Sequence, residues 1–167
     1  RLAAGWAARG IGRGDRVALL LGNRMDFVVA LLSLWRLGAI VVPIGIRQSA
    51  AELEYMLGQC GACALVFEGS LADRLPRPDR IPGVRLFVHC LDADESPSVL
   101  QAAELSSVAL ADIACEPALA AYHGDFSDQS PACIMYTSGT TGHPKGAVLS
   151  HLGFFHTARH YIHRFGY

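Results

Sequence analysis

Residues 137–146 read Thr-Ser-Gly-Thr-Thr-Gly-His-Pro-Lys-Gly, so four hydroxyl side chains, three glycines and one lysine follow directly on the apolar run at 131–136. That combination suits a polyphosphate. Glycines let backbone N–H groups approach anionic oxygens with no Cβ in the way, and hydroxyls donate hydrogen bonds without adding charge. Lys145, the only lysine among 14 basic residues, offers a point charge with rotatable donors on a flexible stem, which fits a phosphate that moves during a reaction. The order is not that of a Walker A loop, which needs glycine before the lysine and Ser or Thr after it; Lys145 lies between Pro144 and Gly146. No G-x-S-x-G elbow surrounds Ser138, and Gly10-Ile11-Gly12-Arg13-Gly14 follows a helix, so it reads as a simple helix-to-strand turn.

The charge pattern agrees with an anion site at this end of the chain. The 167 residues carry a net charge of −1, but residues 92–136 hold eight acids and no Lys or Arg, whereas 137–167 hold Lys145, Arg159 and Arg164 and no acid at all. A hydrophobic content of 51% with 17% charged residues excludes a disordered tail and a strongly basic nucleic-acid arm, so no nucleic-acid partner is expected. Five cysteines, an odd number without a secretory signal, read as reduced thiols of a cytoplasmic protein. The Cys60-x-x-Cys63 pair lacks a second ligand pair for zinc and reads as small buried hydrophobes.

The elements that must position the loop follow from hydrophobic patterning. Continuous apolar runs at 16–21, 40–44, 62–67 and 84–90 read as buried strands, separated by helices at 26–37 and 50–58. Ser49 with Glu52 three residues on forms a capping box for the second of these helices. Buried strands alternating with helices predict an α/β fold, a mainly parallel sheet flanked by helices on both faces. The stretch 27–46 carries one charge in 20 residues, yet Gly38 stops its helix and Pro43 ends the strand after it, so no transmembrane segment is expected. Residues 91–128 read as a connecting region with short Ala-rich helical pieces such as 100–105. A strand at 131–136 then enters the loop, a short strand at 147–149 leaves it, and Ser150 caps a helix at 151–164. The chain opens at Arg1 inside an amphipathic helix, 2–8, and a piece of a longer protein is the expectation.

The segment Tyr136–Gly146, Tyr-Thr-Ser-Gly-Thr-Thr-Gly-x-Pro-Lys-Gly, resembles the phosphate-binding signature of the acyl-adenylate-forming superfamily, which includes acyl-CoA synthetases, adenylation domains of peptide synthetases and luciferases. Upstream, Gly14-Asp15-Arg16-Val17-Ala18-Leu19, Asn23, Leu37-Gly38-Ala39, Val42-Pro43, Arg47, Glu52-Leu53 and Gly61-Ala62 stand in the order seen near the start of the large domain of such enzymes. The resemblance implies that 1–167 is part of an N-terminal AMP-binding domain whose mobile C-terminal domain is absent. It also implies a two-step ligase: a carboxylic acid, of fatty or related type, and ATP give acyl-AMP and pyrophosphate, and coenzyme A then takes the acyl group. Thr137, Ser138, Gly139, Thr140, Thr141, Gly142 and Lys145 would hold the β- and γ-phosphates, and His143 stands at the position the motif leaves variable. Mg²⁺ ligands are expected outside this chain, no catalytic residue is assigned within it, and the 167 residues alone are expected not to complete adenylation.

Two other readings share the motif: an adenylation domain loading a carrier protein, and a nucleotide-binding remnant without catalysis. His156, His160 and His163 share one helical face, but no carboxylate or thiol accompanies them, so a half-buried face without a native metal is expected. The resemblance sets His151 near the active-site cleft. Trp6, Phe27, Trp35 and Tyr55 are expected in the core, as are Phe154 and Phe155, and Tyr136 is expected to anchor the loop. Asp92, Asp94 and Glu95 read as a solvated acidic turn.

Overall fold

Strand β1 (Arg16–Leu20) has parallel neighbours on both sides, β2 (Ile40–Pro43) and β3 (Ala64–Glu68), and its side chains alternate between two separate cores. A computed structural model describes residues 1–92, 95, 98, 100, 105–114, 127–137 and 143–166. Beyond β3 the sheet continues in parallel through β4 (Leu86–Cys90) to β5 (Val108–Ala109). On the other side β6 (Pro131–Thr137) joins β2 in parallel, and β7 (Lys145–Ser150) turns back antiparallel to β6. The order β5-β4-β3-β1-β2-β6-β7 is the mainly parallel sheet that the sequence predicts, with one antiparallel hairpin at its edge.

One face packs Val17, Leu19, Val41 and Val66 against Trp6 of α1 (Leu2–Ala8), Leu34 of α2 (Met25–Trp35) and Ile113 of α4 (Leu110–Ile113). The other packs Ala18, Leu20, Leu65 and Phe67 against Leu53, Met56 and Leu57 of α3 (Ala50–Cys60). Helix α3 starts where the capping box predicts: the Ser49 hydroxyl accepts from the Glu52 amide and the Glu52 carboxylate accepts from the Ser49 amide. It ends on Gly61 at φ +63°, a left-handed position that suits glycine. The Arg16 guanidinium donates to the Cys60 carbonyl at 2.8 Å and to the Gly61 carbonyl at 2.6 Å, filling acceptors that a helix end leaves open.

The structure differs from the sequence reading in three places. Within 91–128, β5 and α4 are regular elements, and Ile113 is fully buried against α1; Asp94, Cys115 and residues 101–104 lie outside the described residues. The second strand of the hairpin runs from Lys145 rather than Ala147. The last helix, α5 (His151–Phe165), buries none of its side chains, so Phe155, 57% exposed, is not a core residue, and the His156, His160 and His163 face is exposed rather than half-buried. The start of α5 is seated where Phe154 meets the Trp35 ring at 5.1 Å. Trp6 is fully buried as expected, while Phe27, Trp35 and Tyr55 are half-buried. Asp92 pairs with Arg24 at 3.1 Å and donates its amide to Glu95. Among the described residues no helix is long and apolar enough to cross a membrane.

Candidate functional site

Because β6 runs parallel to β2, it delivers Thr137 to the carboxyl edge of the parallel strands, the edge at which open α/β sheets generally bind their ligands. The β6–β7 ladder then sets Thr137 directly opposite Lys145. Both side chains are exposed at the mouth of the hairpin. The Thr137 hydroxyl lies 3.5 Å from the Lys145 carbonyl, the outer limit of a hydrogen bond, so a better acceptor can compete for its proton. Of the other residues assigned to phosphate binding, Ser138, Gly139, Thr140, Thr141 and Gly142 lie outside the described residues.

The residue before Thr137 is held firmly. Tyr136 donates its hydroxyl to the Met56 carbonyl at 3.0 Å and to Gln59 Oε1 at 2.5 Å, two acceptors one turn apart on α3. Burial, helped by the neighbouring Cys60 thiol, pushes the Tyr136 phenol well above its ordinary value, so it serves as a neutral donor. Across the ladder from Tyr136 stands Gly146, where a Cβ would lie 2.8 Å from Ile134 Cγ2 and 3.4 Å from Tyr136 Cζ. This glycine makes room for the Ile134 side chain, with the Tyr136 ring at ordinary contact beside it, a packing role besides the phosphate contact that the sequence suggests for the loop glycines.

The residue given no role from sequence also has a partner. The His143 ring stacks on Tyr55 of α3, centroids 4.8 Å apart and planes 23° apart. Tyr55 and Gln59 are four residues apart and therefore neighbours on one face of the helix. The only sequence signal for this was that spacing, with no hint of what it would touch.

At the other end of β7, Ser150 caps α5 by accepting from the Gly153 amide at 3.2 Å. His151 lies half-buried with its ring edge-on to Trp35 at 5.3 Å, and burial pushes its pKa down. Trp35 in turn donates its indole N–H to the Ala132 carbonyl at 2.8 Å, tying α2 to β6 beneath the hairpin. The thiols of Cys60, Cys63, Cys90 and Cys133 are free, and burial raises each of them, Cys90 to about 12 and Cys133 to about 11. Among the described residues no group of three or more His, Cys, Asp or Glu side chains gathers as a metal site would need.

A model of the family described as AMP-binding enzyme matches residues 1–167. The chain belongs to the AMP-binding enzyme family. It is 33% identical over 153 residues to a medium/long-chain-fatty-acid–CoA/3-oxocholest-4-en-26-oate–CoA ligase of Mycobacterium marinum, covering 90% of this chain and 28% of that ligase. It is similar to the inhibitor-bound N-terminal domain of FACL13 from Mycobacterium tuberculosis, with a TM-score of 0.64 and 31% identity over 90% of this chain and 34% of that one. The anthranilate CoA ligase AuaEII, solved with anthranoyl-AMP, shares the fold at a TM-score of 0.78 and 23% identity, covering 95% of this chain and 29% of that ligase. The chain thus spans about a third or less of the length of these proteins.

Proposed function

We propose that this chain carries the triphosphate-binding loop of an ATP-dependent acid–thiol ligase acting on a fatty or related carboxylic acid. In the first step a carboxylate oxygen attacks the α-phosphorus of ATP, the bond from that phosphorus to the oxygen bridging to the β-phosphate breaks, and pyrophosphate departs from acyl-AMP. In the second, the thiol of coenzyme A adds to the acyl carbon, AMP leaves and the thiol proton passes to solvent, giving the thioester. Negative charge builds on the departing pyrophosphate, and preorganised donors facing it lower the barrier. The Lys145 ammonium and the Thr137 hydroxyl meet that charge, together with Ser138, Gly139, Thr140, Thr141 and Gly142 of the same loop.

The observation that carries this reading is the meeting of Thr137 and Lys145 across the mouth of the β6–β7 hairpin at the carboxyl edge of the sheet. The relative from Mycobacterium marinum, named as a CoA ligase, supports the reaction class and the thiol acceptor. Residues 137–167 contain no aspartate or glutamate, so this part of the chain offers no carboxylate to Mg²⁺, and no step is routed through the metal. For the same reason the 167 residues alone are proposed to bind the triphosphate without completing adenylation. Free thiols support a reducing, cytoplasmic setting.

Competition binding on this chain tests the reading. ATP and inorganic tripolyphosphate should compete for one site, while AMP, which lacks the β- and γ-phosphates, binds about tenfold or more weakly. AMP binding as tightly as ATP would contradict it.

A further inference from the structure

The phosphate loop leaves β6 after Thr137 and enters β7 at Lys145, and the same face of α3 holds a residue near each of these ends. Before the loop, the Tyr136 hydroxyl is bound by the Met56 carbonyl and the Gln59 side chain. At the far end of the loop, two residues before Lys145, the His143 ring lies flat on Tyr55. His143 is exposed, so its position is not the by-product of burial; what holds it is the face of one ring on the face of another. Tyr55 and Gln59, at i and i+4, form one ridge, and the helix beneath them is fixed by its capping box, its left-handed glycine end and the buried Leu53, Met56 and Leu57.

We propose that Tyr55, Gln59 and His143 are positioning residues: a two-point clamp by which α3 sets the separation and direction of Thr137 and Lys145 before any phosphate arrives. The clamp rests on the triphosphate-binding reading of the loop. With Tyr136 and His143 held by α3, Thr137 and Lys145 already stand where an anion would meet them, so the clamp acts on affinity through preorganisation and not through contact with the ligand. The stack needs a flat ring at 143, not an imidazole in particular. Phenylalanine there keeps the function, and alanine loses it.

The test uses NMR on the whole chain with inorganic tripolyphosphate as the probe. Ring-current shifts first report the stack in the free protein: the His143 ring protons should be displaced upfield and should return to ordinary positions in Tyr55→Leu. Tripolyphosphate titration, read at the Lys145 and Gly146 amides, should then weaken about threefold to tenfold in His143→Ala, and stay near wild type in His143→Phe and Tyr55→Phe. Because His143 is exposed, His143→Ala keeps the fold even where Tyr55→Leu does not. An undisplaced His143 ring in the wild type, equal affinity in His143→Ala, or a loss that phenylalanine does not restore would each overturn the clamp. A wild-type chain that shows the ring-current shift but no tripolyphosphate response would instead remove the triphosphate-binding reading and leave the contact as structure alone.

Discussion

Lys145 is the clearest case of a residue whose type announced its place, since a sequence with 13 arginines and one lysine sets that lysine in its one glycine- and hydroxyl-rich loop. Tyr136 and His143 were less legible. Their partners Met56, Gln59 and Tyr55 lie about 80 positions upstream, and no local pattern reports a contact across that distance. The histidines give a prediction at this scale. Burial depresses the pKa of His151, and that of His89 despite the opposing pull of Asp112. A depressed folded value means that the unfolded chain takes up the proton first. Stability owed to these rings is complete above about pH 6.5 and is lost as pH falls through the folded values. Urea midpoints should therefore hold level from about pH 8 to 7 and decline below about 6.5, less steeply in His151→Phe. A midpoint that rises on acidification would contradict the burial of these rings.

The elements divide by how their signals were carried. Helix α3 was readable because its start is a local bond pattern, Ser49 with Glu52, and the long strands were readable because three or four apolar residues run together in each. Strand β5 and helix α4 were not, because two residues of strand and four of helix are too short for either period to show in an acid-rich stretch. Their place is fixed from a distance instead, by α1. A Cβ on Gly5 would stand 1.9 Å from the Ile113 carbonyl oxygen, so the helix needs glycine there for the close approach of α4. Alanine in a helix interior normally gains about 1 kcal/mol over glycine. Here the sign reverses: Gly5→Ala should lower stability by about 1–3 kcal/mol as α4 is displaced, measured by chemical denaturation. A variant at least as stable as wild type would show that α4 does not pack on α1 in this way.

Across the whole molecule, the doubly covered sheet was legible in outline, and its order was not, because the parallel partners of β1 are chosen by cores that form only in three dimensions. The same view shows where cover is thin. Val148 on the edge strand β7 and Phe155, Ile162 and Phe165 on α5 are each more than half exposed, and an apolar edge strand is a template for pairing with another chain. Sedimentation should show association that grows with concentration and that Val148→Lys reduces; a monomer at all concentrations in both forms would refute edge pairing.

The hairpin mouth bearing Thr137 and Lys145 is proposed as a triphosphate site. It is tested most directly by titrating ATP into the isotope-labelled chain and into Lys145→Ala. Shifts are expected at the amides of Thr137, Lys145 and Gly146, with affinity about tenfold or more weaker in the variant. Shifts confined to other parts of the sheet, or the same affinity with and without the lysine, would contradict it.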